Sequence, residues 1–297
     1  MKQENKSKIM IVLAMSIWGT IGIFRRYIPM PSGMIAFTRG LIGTIFLLLV
    51  ILIGRKKISF KAIKENLILL ILSGTLMAVN WILLFEAYKY TTVATATVCY
   101  YMEPVFVMMV SPIFLKEKLS VKKVICILVS LGGMAFVSGI FKTSGFNAGD
   151  FKGVLLGLGA AALYASVVIL NKKIKDIGPY DKTIMQLGTS IFVILPYMLL
   201  AEDMNVVFEP VGVVMMLLVG ILHTGVAYTL YFGSMDNVKA QTIALFSYID
   251  PVVAIILSAL ILHEQIGVME IIGAAMVLGA TLISELPLFE KKIVCEK

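Results

Sequence analysis

Histidine and cysteine are scarce in this chain, with two and three residues among 297. Cys99, Cys126 and Cys295 stand at spacings that match neither a disulfide framework nor a set of metal ligands, so no metal centre is expected. There is no nucleophile elbow, no His-x-x-Glu-His zinc site and no second histidine beside a serine. Tyr-Asp and Gly-x-Gly-Asp motifs do not occur as a pair, since Gly149-Asp150 lacks the first glycine. Two acids within apolar segments keep an intramembrane enzyme as a rival class, because such a pair can form a catalytic dyad. The expectation is nevertheless a protein that is not an enzyme and has no cofactor.

Charge is the other shortage. Charged residues make up 15% of the chain and hydrophobic ones 59%, against about 25% and about 45–50% in soluble domains. Mean hydropathy is +0.96. A helical span needs roughly 20 apolar residues. Ten such runs are legible: 9–28, 33–53, 67–87, 92–115, 121–141, 153–170, 183–201, 211–232, 239–262 and 268–286. The fold class is therefore an all-α membrane protein with ten transmembrane helices, multi-pass in the cell membrane. The first run lacks a small-x-small cleavage site and continues to Arg25 and Arg26, so it reads as a retained span.

The net charge of +8 invites a nucleic-acid reading, and its distribution argues against one. With the N-terminus inside, 20 of the 26 Lys and Arg residues fall in cytoplasmic segments, five fall opposite, and Arg39 lies within a span. This asymmetry predicts cytoplasmic N- and C-termini, membrane lipid as a partner and no nucleic acid.

A shift of 147 residues lays the second half on the first. Tyr101-Met102-Glu103-Pro104-Val105 meets Tyr248-Ile249-Asp250-Pro251-Val252, and Glu117 meets Glu264. Between 101 and 136 ten positions are identical under this shift. The chain thus divides into repeats at 1–146 and 147–297, each with five spans. Five is odd, so the second repeat enters the membrane inverted. Inverted repeats place substrate sites at their interface near the midplane.

Glu103 and Asp250 sit near the centres of spans four and nine. Ionisable residues at membrane depth are costly and mark substrate or proton pathways. Both are candidates for substrate binding and for proton coupling. Pro104 removes a bond to the carbonyl of Tyr100, and Pro251 one to that of Ser247, so each span should kink there and the prolines are candidate hinges. Trp18, Trp81, Tyr101, Tyr228 and Tyr248 lie inside spans rather than at interfaces. With Asn80 they form a candidate binding cage, since aromatic faces beside a carboxylate suit an organic cation. His223, in span eight, either relays protons or bonds to a backbone carbonyl. Arg39 reads as a snorkelling or ion-paired residue. Glu117 and Glu264 read as structural bonds to amides at the start of the next helix. Ala135 and Gly139, and Ala275 and Gly279, share four-residue spacing, which allows close helix packing or a homodimer face.

These features resemble the drug/metabolite transporter superfamily in its ten-span EamA type. The resemblance is carried by Trp18-Gly19, Arg39, Glu103-Pro104-Val105-Phe106 and Leu115-Lys116-Glu117-Lys118-Leu119, and by the second copies at Asp250-Pro251-Val252 and Leu262-His263-Glu264-Gln265-Ile266. It implies a basket of ten helices around a central cavity, alternating access, and spans five and ten set apart as a scaffold. The related four-span multidrug proteins couple through a glutamate in their first span. Here that span offers Met15, Ser16, Trp18 and Thr20 instead, which leaves coupling to Glu103 or Asp250. The expected function is secondary active transport of a small organic solute (amino acid, metabolite, amine or drug), with export as the direction. Uptake of a cationic metabolite such as a quaternary ammonium compound is the alternative.

Overall fold

The computed structural model describes residues 2–91, 93–137, 150–201, 209–262 and 267–285, and among these there is no strand. The helices are α1 (Lys2–Gly19), α2 (Ile21–Arg25), α3 (Ser32–Ile53), α4 (Phe60–Tyr90), α5 (Val93–Tyr100), α6 (Glu103–Leu115), α7 (Val121–Val137), α8 (Asp150–Lys173) and α9 (Pro179–Ala201). They continue as α10 (Pro210–Leu218), a π-helical segment (Val219–Val226), α11 (Ala227–Ser234), α12 (Ala240–Ser247), α13 (Ile249–Leu262) and α14 (Val268–Glu285).

Eight helical stretches among the described residues are long and apolar enough to cross a membrane. They are Lys2–Arg25, Ser32–Ile53, Phe60–Tyr90, Thr95–Leu115, Phe151–Lys173, Pro179–Ala201, Pro210–Asn237 and Ala240–Ile261. The other two expected runs form α7 and α14. The run 121–141 passes beyond the described residues, and the apolar part of α14, Ile271–Ser284, is shorter than a span.

Several of these stretches are broken. Thr95–Leu115 divides at Tyr101-Met102, where the amide of Met102 bonds to the carbonyl of Cys99 at 3.2 Å, a tighter turn than an α-helix makes. Ala240–Ile261 divides at Tyr248, whose amide bonds to the carbonyl of Leu245 at 3.3 Å. Both breaks fall immediately before the acid-proline pairs, as expected when a ring replaces a donor.

α4 packs on α8 and α9, α3 on α9, and α1 on α11 and α13, which mixes the two halves of the chain in one bundle. α7 and α14 pack chiefly on one another. Gly133 permits this: a Cβ there would stand 2.7 Å from the carbonyl oxygen of Gly273. Gly139 lies outside the described residues. Some polar groups buried in the bundle pair with one another across helices. Asn171 Nδ2 donates to Ser73 Oγ at 3.0 Å, and Gln186 Nε2 donates to Asn171 Oδ1 at 2.9 Å.

Glu117 corrects one expectation. α6 ends on Lys116 in the left-handed region (φ 55°), and the chain turns there. The Glu117 carboxylate then accepts from the amides of Ala240 at 2.9 Å and Gln241 at 3.4 Å. It therefore caps α12, in the other half of the chain, and not the following helix α7. The free amides at a helix start and the positive end of its dipole favour a carboxylate there. Glu264 lies outside the described residues. Loss of such a cap costs about 1 kcal/mol. Glu117→Ala should lower the Tm of the detergent-solubilised protein by roughly 2–4 °C, with a matching fall in the midpoint of a thermal shift.

Candidate functional site

The two helix breaks converge on one cavity of about 190 Å³. Its lining includes Trp18, Trp81, Tyr101, Glu103, Tyr228 and Asp250. These come from α1, α4, the α5–α6 break, the start of α6, α11 and the start of α13. Pro104 and Pro251 are buried beside the two acids. Drug-sized ligands occupy clefts of about 300–1,000 Å³, so this hollow suits a smaller solute.

Glu103 is 4% exposed. Its Oε2 accepts a long bond (3.5 Å) from Ser247 Oγ, and its Oε1 is buried with no hydrogen-bond partner. A polar atom buried without a partner is costly, and an occupant that donates to it removes the cost. Tyr228 lies beside Trp18 (ring centroids 4.9 Å apart) and Trp81 (6.1 Å), forming an aromatic wall.

Trp18 is fixed by the π-helical segment. Its Nε1 donates to the carbonyl of His223 at 2.7 Å, and His223 Nε2 lies 2.7 Å from Thr20 Oγ1. π-helical turns displace carbonyls from the regular ladder, and here one of them holds the indole. His223 does not line the cavity; it supports Trp18 from behind. Asn80 is not a lining residue either. It is buried, and its Nδ2 donates to the carbonyl of Ala160 at 2.6 Å, tying α4 to α8. Tyr248 is fully buried, and its hydroxyl donates to the carbonyl of Tyr101 at 2.9 Å. That bond links the two helix breaks, 147 residues apart, and Tyr248 itself does not line the cavity.

Arg39, Phe85, Tyr100, Tyr164 and Ser247 also line the cavity and were absent from the residues expected there. Arg39 matters most. Its guanidinium carbon lies 3.9 Å from the centre of the Trp81 ring, and its Nε has no hydrogen-bond partner. The snorkelling expectation is thus corrected: the charge turns inward and rests on an aromatic face. A lone arginine in an apolar span signals only that it must find some partner, and Trp81 is 42 residues away in sequence. A second hollow, of about 500 Å³, shares Ile21, Arg39 and Phe85 with the first and is bordered by Arg25 and Ser32. Arg39 stands on the partition between the two.

Known proteins agree with this architecture. The model of the EamA-like transporter family matches residues 5–139 and again residues 151–285. The uncharacterized transporter YxxF of Bacillus subtilis (strain 168) is 28% identical over 93% of this chain and 88% of its own length. An uncharacterized transporter of Archaeoglobus fulgidus is 26% identical over 92% of this chain and 94% of its own. A crystal structure of another protein superposes with a TM-score of 0.86 over 95% of this chain and 96% of that one. At 15% identity, that likeness is one of fold alone. Apolar spanning helices, transporter-named relatives and two family matches that together cover most of the chain make this a multi-pass membrane protein that belongs to the EamA-like transporter family, and not an enzyme.

Proposed function

We propose that the protein is a secondary active transporter that exports a small zwitterionic or amphipathic solute, such as an amino acid, by alternating access. The observation that supports it is the lining of the central cavity. Arg39 offers donors for a carboxylate, Glu103 and Asp250 offer acceptors for an amine, and Trp18, Trp81 and Tyr228 offer an apolar wall between them. Buried charged groups of both signs suit a solute that carries both. The halves 1–146 and 147–297 would act as inverted repeats that rock about this cavity, with Pro104 and Pro251 as hinges. Glu103 and Asp250 are the groups through which a proton gradient would drive the cycle.

The alternative, uptake of a quaternary ammonium compound, needs open aromatic faces. The Trp81 face is occupied by the Arg39 guanidinium, which would also repel a cation. The zwitterion reading fits better for that reason.

Counterflow in proteoliposomes tests the choice. Amino acids, the matching amines and the matching carboxylates would be compared at two proton gradients, with Arg39→Gln beside wild type. The expected result is exchange of the zwitterion, lost in Arg39→Gln by about tenfold or more, as for removal of one charge-assisted bond. Exchange of amines alone, indifferent to Arg39→Gln, would refute the zwitterion reading.

A further inference from the structure

The second hollow, of about 500 Å³, is larger than the central cavity beside it. Arg25, Ser32, Arg39 and Tyr88 supply its polar lining, and no acidic side chain lines it among the described residues. The Arg25 guanidinium donates to the carbonyls of Ile28 at 2.6 Å and Met30 at 3.2 Å, which fixes its position and leaves its charge uncancelled. A guanidinium has five N–H donors, so donors remain for a ligand. The Arg39 guanidinium rests on the Trp81 ring, and its Nε has no hydrogen-bond partner. A concave wall that carries charge of one sign focuses the field and draws in the opposite sign, here an anion.

Ile21, Arg39 and Phe85 border both hollows, so a passage between them runs past Arg39. At the opposite end of the bundle the chain is tied across. Lys172 Nζ donates to the carbonyls of Met235 at 2.7 Å and Val238 at 2.8 Å, and Lys182 Nζ stands 3.5 Å from a carboxylate oxygen of Asp236. Arg25 is exposed and Arg39 half-buried, so a carboxylate that moves from one to the other trades water for protein while staying beside a positive charge. We propose that the second hollow is a binding site in its own right, where Arg25 holds the carboxylate of the transported solute before it reaches Arg39 or after it has left. This role rests on the zwitterion reading of the central cavity and extends it. The hollow falls within the size range of ligand clefts, about 300–1,000 Å³. A solute small enough for the central cavity is therefore held here loosely, chiefly by its charge. By the charge distribution of the sequence, the α2–α3 turn beside Arg25 lies outside the cell.

The test places a thiol on the wall of the hollow by Ser32→Cys, a change of little size. Labelling at position 32 is followed by peptide mass in the full-length protein in neutral detergent. Two methanethiosulfonates are compared, the anionic sulfonatoethyl and the cationic trimethylammonioethyl reagent, each rate divided by its rate with free 2-mercaptoethanol. The anionic reagent should be preferred by about tenfold, the scale on which a focused field alters association rates. Adding Arg25→Gln should cut the preference to about twofold or less, and Arg25→Lys should keep most of it, which separates lost charge from a misfolded turn. At matched ionic strength, leucine and 4-methylpentanoate should slow the labelling by about threefold or more, and 3-methylbutylamine should not. Equal normalised rates, no labelling by either reagent, or a preference that survives Arg25→Gln would overturn the site. Protection by inorganic phosphate as strong as that by 4-methylpentanoate would overturn its assignment to the solute. Failure of the zwitterion reading shows elsewhere, as amine exchange in counterflow that is indifferent to Arg39→Gln.

Discussion

Replacing Glu103 by glutamine is expected to reduce solute exchange by about 10²-fold while leaving the protein folded. Glutamine keeps the size and the Ser247 contact but removes the negative charge and the exchangeable proton. Removing one member of a buried charged pair costs about 2–5 kcal/mol, and 1.4 kcal/mol is tenfold in affinity, so a loss of this order follows. Oε1 of Glu103 has no partner within the protein, so no internal bond is broken by the exchange. Its whole effect should therefore fall on the solute or the proton. Counterflow and thermal unfolding measured on the same preparation separate the two contributions. Asp250→Asn, at the equivalent position of the other helix break, should show a loss too. If exchange persists at wild-type rate in both variants, the cavity is not the transport site.

Gly19→Val should be as damaging by a different route. A Cβ on Gly19 would lie 2.7 Å from the carbonyl oxygen of Asp250 and 2.7 Å from Cβ of Val253. Real Cβ atoms do not come so close, and the obstacles belong to α13 itself, so α1 must move away. Overpacking of this kind costs about 1–3 kcal/mol, or roughly 2–10 °C in Tm for a chain of this size. The displacement also pulls Trp18, the neighbour of Gly19, from Asp250 and widens the cavity, so exchange should fall more than stability does. Gly22 provides the control, since nothing lies within 4 Å of its added Cβ. Gly22→Ala should leave both Tm and exchange near wild type. A Gly19→Val protein with normal exchange would show that the α1–α13 crossing does not shape the site.

How much of this was legible beforehand depends on the range of the signal. The helix breaks were, because proline acts on the carbonyl four residues before it and needs no distant partner. Glu103, Asp250, Trp18 and Trp81 were, because carboxylates and indoles inside apolar runs conflict with their surroundings and so advertise a purpose. Asn80, His223 and Tyr248 carry the same kind of conflict, yet Asn80 Nδ2 and the Tyr248 hydroxyl bond to backbone carbonyls of other segments, and the His223 ring meets the Thr20 hydroxyl. The sequence flags a polar group at membrane depth but does not say whether it faces a cavity or a carbonyl. Glu117 illustrates the same limit. A capping role was readable from its place at a helix end, but the helix it caps starts 123 residues further on.

The sequence by itself determined the membrane class, the family, the helical runs and the doubling of the acid-proline motif, because these depend on composition and on residues close together in the chain. The tertiary structure alone decided that Arg39 turns inward onto Trp81, that a π-helical carbonyl holds Trp18, and that Arg25 and Arg39 line one hollow. Those outcomes depend on which helix faces which. In this bundle the crossings are set by close approaches such as that of Gly19 to α13, which a one-dimensional pattern does not encode.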